Sequence, residues 1–170
     1  MYHLADAYLL SAFVAVLGAY LGALVFGAAA VPSVILQTLD EATAAAEAMA
    51  MSKRVNKKNK SNTYFVASDV HPQTIAVVQT RAEHFGFEII VGDIESELEG
   101  ADFFGAYIQY PGSTGELRPL ESVIEHIHAK NALAIVGADI MSLMLLKSPG
   151  SQGADIVVGS NQRFGIPMGF

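Results

Sequence analysis

Cysteine and tryptophan are absent from this 170-residue chain, and charged residues are scarce. Without cysteine there are no disulfides, thiolate metal sites or cysteine nucleophiles. Charged residues make up 16% of the chain, against about a quarter in an average soluble protein. The net charge is −7, and half of the basic residues fall between Lys53 and Lys60. A general nucleic-acid-binding surface is therefore not expected, because it needs basic residues spread along a face or groove.

The amino-terminal part also lacks charge, since no charged residue lies between Ala7 and Thr38. Leu9 to Ala30 is almost wholly apolar, and a helix needs about 20 such residues to cross a bilayer. If it spans, the basic run that follows places its far side in the cytoplasm or matrix. A buried helix and an incorrect gene start are the alternatives. We therefore separate residues 1–38 from a domain at residues 39–170.

The rest of the chain alternates between apolar strand patterns and helix patterns. Helix-forming composition or an apolar helical face predicts helices at residues 40–52, in a segment beginning at Pro72, and at residues 117–130. A short apolar helix is predicted at 140–146. The predicted strands are 64–67, 87–91, 104–109, 133–136 and 155–158. Strands separated by helices indicate an α/β fold, a mainly parallel sheet with helices on both faces.

Chemically useful side chains follow these predicted strands. His71, Tyr110, Asp139 and Arg163 each come after a strand, so we expect them at one edge of the sheet, where such folds bind ligands. A histidine before a helix is more often a simple hydrogen-bonding group, whereas a carboxylate ending an apolar strand needs a partner. The glycines lack dinucleotide-binding or P-loop spacing, and the acidic loop lacks EF-hand spacing. No metal site is predicted.

At these positions the sequence resembles the P-proteins of the glycine cleavage system, the pyridoxal-phosphate-dependent glycine dehydrogenases (decarboxylating). The resemblance runs in order from Leu39 to Phe170. The matching segments are Leu39–Met49, Val70–Ile75, Gln109–Gly112, Ala138–Asp139, Pro149–Gly150 and Gly159–Phe170. The first 36 residues do not resemble the family, and the chain stops inside the family's large domain, so we expect a fragment of the amino-terminal half.

The resemblance implies part of the large domain of a fold-type-I pyridoxal-phosphate transferase. In that fold a residue at the position of His71 stacks on the cofactor ring, and an aspartate at the position of Asp139 pairs with the pyridine nitrogen. A lysine after the next strand forms the Schiff base, and Arg163 stands there in this chain. A guanidinium with a pKa above about 12 cannot supply the neutral amine. The resemblance thus implies a relic cofactor site with no catalytic residue, to which Tyr110 is a weak addition.

For the whole family member, the resemblance implies pyridoxal-phosphate-dependent decarboxylation of glycine, with transfer of the aminomethyl group to the lipoyl arm of H-protein. The implied partners are the other P-protein half or a second subunit, H-protein and glycine. The location would be mitochondrial in a eukaryote and cytoplasmic in a bacterium. Two alternatives stay open: a non-catalytic structural or regulatory half-subunit, and a domain anchored to a membrane through residues 9–30.

Overall fold

The computed structural model describes residues 34–37 and 40–160. These residues form six strands, three α-helices and two short 3-10 turns. In chain order the α-helices and strands are β1 (Val34–Gln37), α1 (Glu41–Val55), β2 (Thr63–Ala67), α2 (Pro72–Phe85), β3 (Glu88–Gly92), β4 (Gly105–Tyr110), α3 (Leu120–Ala129), β5 (Leu133–Ala138) and β6 (Ile156–Gly159). The 3-10 turns, Ser142–Met144 and Pro149–Gln152, lie between β5 and β6.

All six strands pair in parallel, in the order β1-β6-β5-β4-β2-β3. From β2 the chain moves outward to β3, whereas from β4 it moves the opposite way to β5 and β6. Because crossovers between parallel strands are right-handed, the connections leaving β2 and β4 must pass over opposite faces of the sheet. The direction in which successive strands are added to the sheet therefore reverses between β2 and β4.

Contacts between elements agree with this assignment of faces. Helix α1 packs on α2, and Glu47 and Arg81 join them across 3.0 Å. On the other face, α3 packs against β5 and the second 3-10 turn. Lys130, just after α3, donates hydrogen bonds to the carbonyls of Glu99 and Ala101 in the loop before β4. The predicted parallel sheet with helices on both faces is confirmed.

The core is the sheet interior and its aromatic lining. Every residue of β4 is buried, and β5 is buried from its second residue onward, as expected for central strands covered on both sides. Phe104 packs against aromatic residues of two neighbouring chain segments, because its ring lies 5.3 Å from Tyr64 and 5.2 Å from Phe87. Such ring pairs stabilise a core beyond their buried area.

Local sequence explains where α1 begins. The Asp40 carboxylate accepts a hydrogen bond of 2.7 Å from the Thr43 amide, which caps the helix. Five alanines and Met49 line its buried side, so the helix lies close to the sheet. Because α1 starts at the carboxyl edge of the sheet, its first residue, Glu41, is placed among the strand-end loops.

The structure differs from the sequence predictions at three places. Strand β1 was not predicted, and it extends the sheet beyond β6. Helix α3 begins at Leu120 rather than 117, because a residue before proline, here Arg118, is disfavoured in helix. The predicted helix at 140–146 is wrong: only a 3-10 turn forms, and the exposed Met144 and Leu145 give it no face to bury.

Two predictions fall outside the described residues, namely the apolar segment before residue 34 and Arg163. Within residues 34–37 and 40–160, no helix is both long and apolar enough to cross a bilayer.

The Tyr64 hydroxyl provides a test of the core. It is buried and finds no hydrogen-bond partner in the described part of the chain, and burial raises its pKa. An unsatisfied buried hydroxyl costs about 1–3 kcal/mol. We therefore expect Tyr64→Phe to leave the free energy of unfolding unchanged or to raise it by about 1 kcal/mol in urea titrations.

Tyr107→Phe is the matched control, since its hydroxyl donates a 3.4 Å hydrogen bond to Gln109 Oε1. Its loss should lower the free energy of unfolding by about 1 kcal/mol. A larger loss of stability in Tyr64→Phe than in Tyr107→Phe would contradict this description of the core.

Candidate functional site at the switch point of the sheet

A cavity of about 540 Å³ opens at the carboxyl edge of the sheet, where the strand order reverses. Open α/β sheets bind ligands at such points, because the loops leaving the two strands diverge. Its walls include Glu41, His71, Gln109, Gly112, Ala138 and Asp139. We call this cavity the switch-point crevice.

His71 lies at one wall of the crevice, between β2 and α2. Pro72 takes the first position of α2, so the backbone carbonyl of His71 accepts the first helical hydrogen bonds while its side chain does not cap the helix. The imidazole Nδ1 instead lies 2.8 Å from Ser113 Oγ, in the loop after β4. His71 therefore joins the two loops that diverge at the switch point.

Asp139 lies at another wall, directly after β5. Its amide donates to the carbonyl of Tyr110 at 3.2 Å, and its carboxylate accepts from the Met141 amide at 3.0 Å. The prediction that His71 and Asp139 share one edge is confirmed. Tyr110 ends β4 at the same edge, but its side chain is buried and does not line the crevice.

Sequence reasoning missed Glu41, which also faces the crevice. Its Oε1 is buried and accepts no hydrogen bond from any described residue. Burial raises the pKa of the Tyr107 phenol well above its ordinary value, and the negative charge of Glu41 adds to that rise. The Tyr107 hydroxyl in turn lies over Gly137, where a Cβ would come within 2.0 Å of it. The only sequence signal for Glu41 was its place at the start of a helix.

A second missed pair, Asp69 and Arg118, lies in the two loops that the contact between His71 and Ser113 joins. Their side chains are only 12% and 17% exposed, and Arg118 Nη2 lies 4.0 Å from Asp69 Oδ2. Burial raises the pKa of Asp69, an effect that Arg118 opposes and that Glu116 and Asp93 reinforce. Asp69 stands beside a motif that the sequence singled out, but its burial depends on tertiary packing that no local pattern records.

Pyridoxal phosphate carries a phosphate dianion and needs an amine for its Schiff base. Among the described residues that line the crevice there is no lysine or arginine, while Glu41 contributes a carboxylate besides that of Asp139, the one suited to the pyridine nitrogen. The unpaired Oε1 of Glu41 would repel a phosphate placed beside it. The described residues therefore offer a carboxylate for the cofactor's ring nitrogen at Asp139 but do not supply the amine that its Schiff base needs.

The described lysines are held elsewhere. Lys130 follows α3 at the amino edge of the sheet, and the basic loop that contains Lys57, Lys58 and Lys60 precedes β2 at that same edge. Lys147 lies 3.4 Å from Glu121 on an exposed surface. No amine of the described chain lines the crevice.

A smaller cavity of about 300 Å³ lies at the amino edge, near His128 and Asp155. His128 Nε2 and Asp155 Oδ2 are 2.8 Å apart, and the same oxygen accepts from the Ala134 amide. This pair ties α3 to the strands and lies at the edge opposite the strand-end loops. The described residues contain no cluster of three or more side chains able to hold a metal ion.

Comparison with known proteins extends these observations. Residues 31–170 match the family described as Glycine cleavage system P-protein. Glycine dehydrogenase (decarboxylating) from Saccharophagus degradans is 64% identical over 132 residues, and the enzyme of that name from Teredinibacter turnerae is 66% identical over the same length. Each match covers 78% of this chain but only 14% of the relative. Both relatives are bacterial, and nothing supports the mitochondrial branch of the predicted location.

Solved structures show the same fold. A crystal structure of glycine decarboxylase (P-protein) of the glycine cleavage system, in inhibitor-bound form, is 33% identical, with a TM-score of 0.67 over 78% of this chain and 31% of that one. A cystathionine gamma synthase from Xanthomonas oryzae pv. oryzae, at 23% identity and a TM-score of 0.52 over 69% of this chain and 35% of that one, shares the fold alone. With its parallel sheet, its strand-end crevice and a family match over most of its length, this chain belongs to the glycine cleavage system P-protein family.

Proposed function

We propose that this chain is part of a glycine decarboxylase, the P-protein that removes CO2 from glycine and passes the aminomethyl group to lipoyl H-protein. Pyridoxal phosphate supplies the electron sink for such chemistry. In this proposal the cofactor is held by the family's other half, and this chain contributes no covalent step. The relatives' bacterial origin supports a cytoplasmic location.

One observation carries the proposal: His71 and Asp139 line a common crevice to which the described chain brings no amine. The site keeps the shape expected of a cofactor domain while lacking the group that bonds to the cofactor. A role in packing against the catalytic half and completing its active site accounts for both facts. The alternative of a structural or regulatory half-subunit shares this non-catalytic role, and differs in whether the crevice affects turnover.

The carboxyl edge also carries an apolar surface suited to such packing. Met141, Met144 and Leu145, just after Asp139, are 52%, 73% and 90% exposed. Large apolar side chains grouped in this way usually mark an interface. Because this chain spans about 14% of its relatives' length, we propose that another part of the same protein covers these three residues.

The proposed function can be tested in a chimera. The matching 132-residue segment of the Teredinibacter turnerae enzyme is replaced by that of this chain. Glycine-dependent CO2 release should stay within about tenfold of the parent, equivalent to about 1.4 kcal/mol in the barrier. A chimera that folds and binds pyridoxal phosphate but releases no CO2 would refute the proposal. His71→Ala and Asp139→Ala in the chimera separate the alternatives, since a purely structural half predicts unchanged turnover in folded variants.

The isolated 170-residue chain should show neither glycine decarboxylation nor an internal aldimine. No lysine of the described residues lines the crevice, so none is placed to form the aldimine there. Borohydride reduction with pyridoxal phosphate, followed by peptide mapping, measures this directly. A stoichiometric adduct on one lysine, together with CO2 release from glycine, would be the contrary result. Adding the complementary half should restore activity.

Leu145→Glu tests the apolar surface. In the isolated chain the substitution should leave the urea midpoint unchanged, because the side chain is 90% exposed. In the chimera it should lower CO2 release more than tenfold, or about 1.4 kcal/mol, since a buried carboxylate opposes docking. Val55→Glu is the control, an exposed apolar residue at the end of α1 near the amino edge, and it should have no effect in either protein. Equal losses in both variants would argue against an interface at Leu145.

A further inference from the structure

Two loops flank the switch-point crevice, one after β2 and one after β4. Residues 68–71 form the first loop and residues 111–119 the second. They leave the sheet toward opposite faces, so the crossover geometry alone does not hold the two loops in contact. Even so, several contacts join them.

Asp69 makes the closest of these contacts. A Cβ built on Gly112 would lie 2.1 Å from Asp69 Oδ2 and 3.1 Å from Asp69 Cβ, so the aspartate packs directly on the glycine backbone. The Ser113 amide donates to the Asp69 carbonyl at 2.7 Å. Only a residue without a side chain allows the loops to approach this closely.

Arg118, near the end of the second loop, faces both Glu116 of its own loop and Asp69 of the first loop. Its guanidinium lies 2.9 Å from Glu116 Oε2 and 4.0 Å from Asp69 Oδ2. Arg118 Nε and Asp69 Oδ1 are both buried and lack a hydrogen-bond partner within the part of the chain that the structure describes. An ion pair that leaves buried atoms unsatisfied is a poor source of stability.

The contacts lead to His71. Ser113 is held by Asp69 through its amide, and its hydroxyl lies 2.8 Å from His71 Nδ1. Any shift of the second loop would therefore break or lengthen the contact that orients the imidazole. Glu116 and Asp93 are the other carboxylates whose charge acts on Asp69.

We infer that Asp69 and Arg118 are positioning residues, forming a latch that holds the two switch-point loops together and through Ser113 sets the orientation of His71 in the crevice. Neither residue lines the crevice, so the latch acts through His71 rather than on a ligand. The inference does not depend on the proposed function, because its consequence is the state of one imidazole in the free chain.

The test follows the ¹⁵N resonances of the His71 ring in the 170-residue chain. Three substitutions disrupt the latch. Asp69→Asn and Arg118→Gln each remove one charge, and Gly112→Ala adds a methyl group between the loops without changing the charge. Each should shift the His71 Nδ1 resonance in the direction given by Ser113→Ala, which removes the contact itself. Arg81→Gln is the matched control: it makes the same substitution in an exposed pair with Glu47, and should leave the resonance unchanged.

Folded variants in which Asp69→Asn and Arg118→Gln both keep the wild-type His71 resonance would overturn the inference. So would an equal shift in Arg81→Gln, which would indicate a general loss of packing. Arg118→Lys retains the charge but not the planar fork, and should give a smaller shift than Arg118→Gln.

A further test uses only the wild-type chain and so does not depend on whether any variant folds. Because burial raises the folded-state pKa of Asp69, its favourable contribution to stability is full below its ordinary pKa and is lost as the pH rises through the raised value. The His71 resonance should show an inflection at the pH where the ¹³Cγ resonance of Asp69 titrates. An Asp69 titration that leaves the His71 ring unaffected would contradict the latch.

Discussion

The right-handedness of parallel crossovers is the constraint on which the rest of this structure depends. Once β2 leads outward to β3 and β4 leads the other way to β5, the loops after β2 and β4 must turn to opposite faces. A crevice opens between them, and every group of interest is placed with respect to it. His71 lies in the loop after β2, and Asp139 directly follows β5. Helix α1 begins at the same edge because the chain must cross back over the sheet from β1.

The sequence predicted the parts of the fold that follow from local pattern. Continuous apolar runs marked β4 and β5, and Pro72 marked the start of α2. Strand β1 was missed because it lies at the end of a long apolar segment that offers no boundary to read. The 140–146 segment was wrongly predicted because its apolar residues suggested a helix, but Met141, Met144 and Leu145 are exposed at the carboxyl edge.

The candidate site was predictable only in part. The position of His71 and Asp139 after strands was enough to bring them together, because parallel strands share one carboxyl edge. Glu41 and the Asp69–Arg118 pair could not be found in this way, since their roles depend on which atoms are buried and left without partners. Those three residues change the interpretation of the crevice. In the function proposed above, a crevice with carboxylates and no amine among its described lining residues is a surface for another part of the protein, and we infer that the Asp69–Arg118 latch holds its shape.

We propose that the carboxyl edge, with the crevice and the exposed segment after Asp139, is where this chain meets the rest of its protein. Hydrogen–deuterium exchange on the isolated chain and on the chimeric enzyme tests this most directly. The amides of residues 109–115 and 139–146 should exchange more slowly in the chimera, because that edge becomes covered. Protection confined to residues 56–60 and 130–132, at the amino edge, with unchanged exchange around Asp139, would contradict the account.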